Sequence, residues 1–366
     1  MIAAHFPPHA LVAGVIAFAV TVVLVPFVRM LSKRFALCDR PGPLKIHTAP
    51  VPRLGGAAIF FGIVAALIAV APHALAVTWP FFVALALVWS AGFVDDLSGL
   101  APGWRLAAQF SAGVVLWMGG WRLFENVFVG LLGNAILVAG FANAVNLLDG
   151  MDGIATGVAL IMSGTYLFLP AGSLGLFGRI VAGSAVGACI AFLPVNWPIA
   201  DLFLGDCGST LLGFLVAFLA LDFYRNGHPA HAGLAFPVLV AALPLLDTLF
   251  AALRRLRAGE SPLFGDRRHL YDLAATNGWK ASQIAPVFYA ITAAFGAIGL
   301  IGVHASARPF WVSTVLGVGL LLTVAIRLGS LRSDSGKGRA GIRSKCDESS
   351  DRLPAGRAQG TPGAAN

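Results

Sequence analysis

About eleven long apolar runs fill this chain, and they leave it few folds to choose from. They centre on residues 10–31, 55–73, 78–94, 104–119, 126–142, 154–171, 177–195, 208–223, 232–253, 284–303 and 308–327. An α-helix rises about 1.5 Å per residue, so about 20 apolar residues cross a bilayer core of about 30 Å. Lipid offers no partner to backbone N–H and C=O groups, so runs of this length must pair them internally, as helices. Composition points the same way: 58% of the residues are hydrophobic and 11% charged, where soluble domains are about a quarter charged. The expectation is an all-α polytopic membrane protein of about 11 transmembrane helices over residues 1–329, followed by a disordered tail, 330–366. That tail is rich in Gly, Ser, Arg and Ala and has too little apolar content to pack. The first run is long enough to span, and no cleavable signal pattern precedes it. Cys38, Cys189, Cys207 and Cys346 lack metal-type spacing and read as ordinary thiols.

Basic residues set the orientation. Arg29, Lys33, Arg34, Arg40, Lys45, Arg53, Arg105, Arg254, Arg255, Arg257, Arg267, Arg268 and Lys280 fall on one side of this span pattern, with the basic tail. The opposite side holds Arg122, Arg179, Arg225 and Arg308. Cytoplasmic loops carry the excess of Lys and Arg. The N-terminus is therefore expected outside, the tail and the richer loops inside.

Three acidic stretches then fall on the cytoplasmic side, each at the end of an apolar run. The first is Asp95-Asp96. The second, residues 143–153, carries Asn143, Asn146, Asp149 and Asp152, each pair spaced by three so that a helix would put it on one face. The third is Gly205-Asp206-Cys207-Gly208-Ser209. Ionised carboxylates at a membrane edge are costly unless a metal, a cation or water balances them. Five of them converging on one face suggest a cytoplasmic-face cleft holding a cation for a phosphorylated substrate, with Lys45, Arg53 and His269 in the same loops.

Each stretch also has a plainer reading. Asp95 and Asp96 point about 100° apart on a helix, so they do not chelate one ion together; they read as a cation site plus a proton or lysine contact, or as a solvated turn. Gly205-Asp206 reads as a turn into a helix start that attracts anions, with Asp206 as a metal ligand or as an N-cap. Lys45 and Arg53 suit phosphate or lipid headgroups. Asp266, Arg267, Arg268, His269 and Tyr271 lie in the longest cytoplasmic loop and could close over a nucleotide sugar, or form a basic surface. Asp247, inside a span, is expected to pair with a polar group of the bundle or with Arg254, in a structural role. Asp222 and Arg225 are assigned to an outside loop. The rival class is a transporter of an anionic solute, whose ionisable groups should lie near mid-membrane in repeated halves rather than at one face. Nucleic acid is not expected as a partner.

Five stretches in order resemble the polyprenyl-phosphate N-acetylhexosamine-1-phosphate transferase family: Arg53-Leu54-Gly55-Gly56, Val94-Asp95-Asp96, residues 143–153, residues 204–209 and the loop at His269. The resemblance implies transfer of a sugar-1-phosphate from a UDP-sugar to undecaprenyl or another polyprenyl phosphate, starting a cell-surface polysaccharide. It implies a bacterial inner-membrane setting, a Mg²⁺ cofactor with Mn²⁺ as a substitute, and room for a homodimer. By the same resemblance Asp206 is the main Mg²⁺ ligand, with Asp96 a second candidate, and Asp95 or Asp96 engages the lipid phosphate. Asn146, Asp149, Asp152 and Asn196 bind the UDP-sugar and Lys45 offsets phosphate charge. Asn143, Arg267 and His269 complete the substrate side, and Asp95, Asp96, Asp149, Asp152 and Asp206 are the catalytic set. Relatives often cluster two or three histidines in the last loop, where this chain reads Arg268-His269-Leu270-Tyr271-Asp272. That departure argues against the peptidoglycan member, phospho-N-acetylmuramoyl-pentapeptide transferase, and for a surface-polysaccharide enzyme.

Overall fold

The computed structural model of the protein describes residues 8–39, 50–227, 232–257, 259, 268–304 and 307–327. Its helices follow the apolar runs: α1 (Pro8–Arg34), α2 (Gly55–Val70), α3 (Leu75–Ser98), α4 (Pro102–Met118), α5 (Val127–Leu148), α6 (Ile154–Leu167), α7 (Leu176–Asn196) and α8 (Gly205–Asn226). Beyond these, the run at 232–253 divides into α9 (Ala235–Val240) and α10 (Ala242–Arg257). Pro237 and Pro244 stand in the first turns of these two helices. A first-turn residue has no intrahelical partner for its N–H, so proline is tolerated there and marks each start. The short α11 (Leu270–Thr276), α12 (Ala281–His304) and α13 (Ala307–Arg327) complete the helices. A two-residue antiparallel pair, β1 (Cys38–Asp39) with β2 (Val51–Pro52), joins α1 to α2.

Among the described residues, seven helical segments are long and apolar enough to cross a membrane: α1, α3 with the turn before it, α5, α7, α8, α12 and most of α13. Helices α2 and α6 are apolar but shorter. This is an all-α, multi-pass membrane architecture, and α8 is its axis. It is apolar almost all round, as a helix enclosed by others must be. Leu211, Phe214, Leu215, Phe218 and Leu219 are all buried, and α2, α3, α5, α6 and α7 pack around it. Lipid tails are as apolar as leucine, so such packing rests on close van der Waals fit rather than on removal from water.

Both ends of α8 carry an aspartate, Asp206 half-buried and Asp222 buried. Asp222 lies not in an outside loop but inside α8, only 3% exposed. It accepts hydrogen bonds from the Trp121 indole Nε1 at 3.0 Å and from the Gly175 amide at 2.9 Å. Arg225, also on α8, stacks over Trp121. The helix outruns the apolar stretch because Asp222 finds donors that make burial tolerable. At the opposite end the segment before α8 is laced to the start of α2. Gly55 and Gly56 donate their amides to Phe203 O at 2.9 Å and Leu204 O at 2.8 Å, and the Phe203 amide donates to Pro52 O at 2.9 Å. Arg53 and Asp39 form an ion pair across the β1–β2 hairpin.

Candidate active site

The first turn of α8 begins at Gly205, whose φ of +76° is a left-handed conformation natural to glycine. A Cβ there would meet Asp96 Oδ2 at 2.7 Å. Asp96 comes from the last turn of α3, and its two oxygens accept the amides of Asp206 and Cys207, each at 2.9 Å. A helix N-terminus leaves its first amides without partners and favours negative charge. The residue at the N-cap position, Leu204, makes no side-chain cap bond. A carboxylate from another helix therefore caps α8, and Asp206 is not spent on that task.

Asp206 points instead toward α4 and α5. Its Oδ1 accepts from Asn146 Nδ2 on α5 and from Arg105 Nη1 on α4, the latter at 3.2 Å. Asn146 Nδ2 also reaches Ser209 Oγ at 2.9 Å. Arg105 Nη1 pairs in turn with Asp95 Oδ2 at 2.5 Å, while Asp95 Oδ1 accepts the Leu100 amide. The adjacent Asp95 and Asp96 thus look in different directions, one to a guanidinium and one to backbone amides. Residues from α3, α4, α5 and α8, more than 100 positions apart at the extremes, meet within one hydrogen-bonded network.

Asp149 lies at the C-terminal end of α5 beside this network. Burial raises its carboxyl well above the usual range, and the nearby carboxylates of Asp206, Asp96 and Asp152 push the same way. No hydrogen bond to its side chain is present among the described residues. Asp152 is tied to the α7–α8 connection through the Ala200 amide, which donates to Oδ2 at 2.9 Å.

The other residues singled out from the sequence lie differently. Asn143 donates to Gln109 Oε1 on α4 at 2.5 Å and to Ala139 O at 2.8 Å. Asn196, 2% exposed, accepts from Thr156 Oγ1 at 2.8 Å and donates to Leu202 O at 3.2 Å. His269 is 3% exposed, with Nδ1 facing Asp247 Oδ2 at 2.7 Å. Asp247 thus pairs with a polar group of the bundle. Lys45, Asp266 and Arg267 lie outside the described residues. Arg105 and Ser209 join the network without having been singled out as site residues, and Gln109 is the partner of Asn143. For Arg105 the available signal was a basic residue just inside a helix starting at Pro102, directly after the aspartate pair.

The site fits a hard divalent cation. Asp149, Asp206, Asp96 and Asp95 bring oxygen donors and more negative charge than Arg105 balances. Among the described residues no three His, Cys, Asp or Glu side chains are grouped so as to hold a metal ion by themselves. Mg²⁺ is held by one or two carboxylates plus substrate phosphates and waters, so here the substrate would have to complete its coordination. Asp206 and Asp149 are the residues that would hold it.

Sequence comparisons bear on the same segments. A family model described as "Glycosyl transferase family 4" matches residues 78–224, which include Asp95, Asp96, Asp149 and Asp206. The chain is 30% identical over 317 residues to a decaprenyl-phosphate N-acetylglucosaminephosphotransferase of Mycobacterium tuberculosis, covering 75% of this chain and 78% of that relative. The same enzyme of Mycolicibacterium smegmatis is 29% identical over 360 residues, covering 86% and 87%. The undecaprenyl-phosphate alpha-N-acetylglucosaminyl 1-phosphate transferase of Escherichia coli is 27% identical over 328 residues, covering 82% and 85%.

Proposed function

Because the chain belongs to the polyprenyl-phosphate N-acetylglucosamine-1-phosphate transferase family, we propose that it transfers an N-acetylhexosamine 1-phosphate from a UDP-sugar to a polyprenyl phosphate. The N-acetylglucosamine donor is the first to test, since the matched relatives carry that sugar in their names. The reaction faces the cytoplasm of a bacterial inner membrane, where UDP-sugars are available, and starts a cell-surface polysaccharide. The observation that carries this reading is the placement of Asp206, held by Asn146 and Arg105 and relieved of capping by Asp96.

An oxygen of the lipid phosphate attacks the β-phosphorus of the UDP-sugar. The bond between that phosphorus and the bridging oxygen breaks, and UMP leaves with the electron pair. A lipid phosphate is already ionised at neutral pH, so no strong base is required. The difficulty is repulsion between two anions, and catalysis is mostly positioning and charge stabilisation. Bound Mg²⁺ would supply the Lewis acid that neutralises pyrophosphate oxygens. Arg105 adds a second positive group, shared with Asp95 and Asp206 until a phosphate competes for it. Asn146 orients Asp206 by donating to it, and Asp96 fixes the turn from which Asp206 projects.

The test is purified protein given a panel of UDP-sugars, with UMP release and the mass of the lipid product as readouts. Release is expected only when polyprenyl phosphate and Mg²⁺ are both present. UMP release independent of the lipid acceptor, or none with any UDP-sugar, would sink the proposal.

A further inference from the structure

Outside the acidic network lies a second buried polar assembly, between α10, α11 and the 143–153 stretch. Asp247 on α10 is 1% exposed. Its Oδ2 faces His269 Nδ1 at 2.7 Å, and its Oδ1 accepts the Leu270 amide at 2.8 Å. The ring nitrogen and the carboxylate lie within hydrogen-bond distance, with Asp247 the acceptor in the tautomer that carries a hydrogen on Nδ1. The Asp272 carboxylate accepts the His269 amide at 3.2 Å, closing the first turn of α11.

The assembly reaches toward the acids through Tyr271. Its ring lies parallel to that of His269, with centroids 5.6 Å apart. Its hydroxyl donates to Leu147 O at 3.2 Å, the peptide two residues before Asp149. The hydroxyl also sits against Gly150, where any added methyl would collide with it. A carboxylate has thus been placed in the buried face of an amphipathic helix, where it is costly unless its oxygens are satisfied. What it holds is the start of a seven-residue helix, α11, too short to be stable alone.

We infer that Asp247 is a positioning residue: through His269 and Tyr271 it seats α11 against residues 147–150 and so sets the place of Asp149 in the cleft. It touches neither substrate, and it acts on the reaction only through that chain of contacts. This rests on the transferase reading for its kinetic consequence and on the contacts alone for its structural one. Asp247→Ala removes the carboxylate that faces the Leu270 amide and the His269 ring, and α11 loses that tie to α10. A catalytic group misplaced by about 1 Å can lose about 100-fold in rate.

The experiment pairs kinetics with amide hydrogen exchange read by mass spectrometry on the full chain in detergent. For Asp247→Ala the expected result is a kcat lower by about 100-fold, with faster exchange confined to residues 268–278 and 143–153. Tyr271→Phe removes only the hydroxyl and should speed exchange at 143–153 while leaving 268–278 protected. The double variant should be no slower in turnover than Asp247→Ala, because both act along one path. A kcat within about twofold of the unaltered chain, or unchanged exchange at 143–153, overturns the inference. If Asp247→Ala does not accumulate in the membrane, Asp247→Leu carries the same test, since it keeps the side chain's shape and offers neither donor nor acceptor. If the unaltered chain releases no UMP, the transferase reading falls, and the exchange pattern still decides whether Asp247 seats α11.

Discussion

Replacing Asp96 by asparagine separates two roles that a carboxylate at this position could have. In the structure each Asp96 oxygen accepts one amide from the first turn of α8, both at 2.9 Å. Asparagine keeps one acceptor and turns a donor toward the other amide. One charge-assisted hydrogen bond is lost, about 1.5–3 kcal/mol. The anion at the helix N-terminus goes as well, about 0.3–1 kcal/mol. Relief of repulsion with neighbouring carboxylates offsets part of this, leaving a net cost of about 2 kcal/mol. That corresponds to a fall in Tm of about 5 °C at the few degrees per kcal/mol seen in domains of 150–250 residues. If the displaced α8 turn costs the same in the transition state, kcat falls about 30-fold. The assay is thermal unfolding in detergent with a chelator present, alongside initial rates of UMP release. A Tm that holds or rises while turnover collapses would refute capping, because removing a negative charge from a substrate-contacting site should leave the fold intact or steadier.

Other perturbations read the remaining members of the network. Mg²⁺ should raise the Tm of the unaltered chain, and Asp206→Asn should abolish both that rise and turnover, as measured by unfolding with and without the ion. Asp149→Asn should raise Tm in chelator, since it removes a carboxylate whose charged form is disfavoured by burial and by three like-charged neighbours, and it should still lose activity. Arg105→Gln should raise KM for the UDP-sugar at least tenfold, about 1.4 kcal/mol, and Arg105→Lys should recover much of that, because a single nitrogen, Nη1, makes both contacts and an ammonium carries three donors.

The helical course of the chain was readable because apolar length is a local property, although seven of the described helical segments, not eleven, are long and apolar enough to cross a membrane. Each run from 10–31 to 308–327 became helical, and the one that divided did so at prolines visible beforehand. The site was readable in its parts: Asp95, Asp96, Asn146, Asp149 and Asp206 each stood at a run's end. What periodicity could not supply was the division of tasks. Asp96 and Asp206 are 110 residues apart, and nothing local says that one caps the helix carrying the other. Arg105 was visible only as a topological charge, because its partners Asp95 and Asp206 lie on two different helices. Asp222 was misplaced for a related reason: charge near the end of an apolar run looks like a loop until its donors, Trp121 and Gly175, are brought in from elsewhere.

The two acids of α8 show why the ends of one buried helix are not equivalent. Asp206 lies in the first turn, where the aligned peptide dipoles favour an anion. Asp222 lies near the last turn, where they oppose one, so it needs donors from outside the helix. It finds them in Trp121 and in Gly175, which belong to the α4–α5 and α6–α7 connections. Asp222 therefore acts as a clasp at the end away from the chemistry. Asp222→Ala strands two buried donors, about 1–3 kcal/mol each, and should lower Tm by several degrees. Turnover below that temperature should stay within about twofold, because the sites lie four helical turns apart at about 5.4 Å per turn. A variant with unchanged Tm and lost turnover would mean that the two ends of α8 are coupled, and the assignment of chemistry to the Asp206 end alone would then fail.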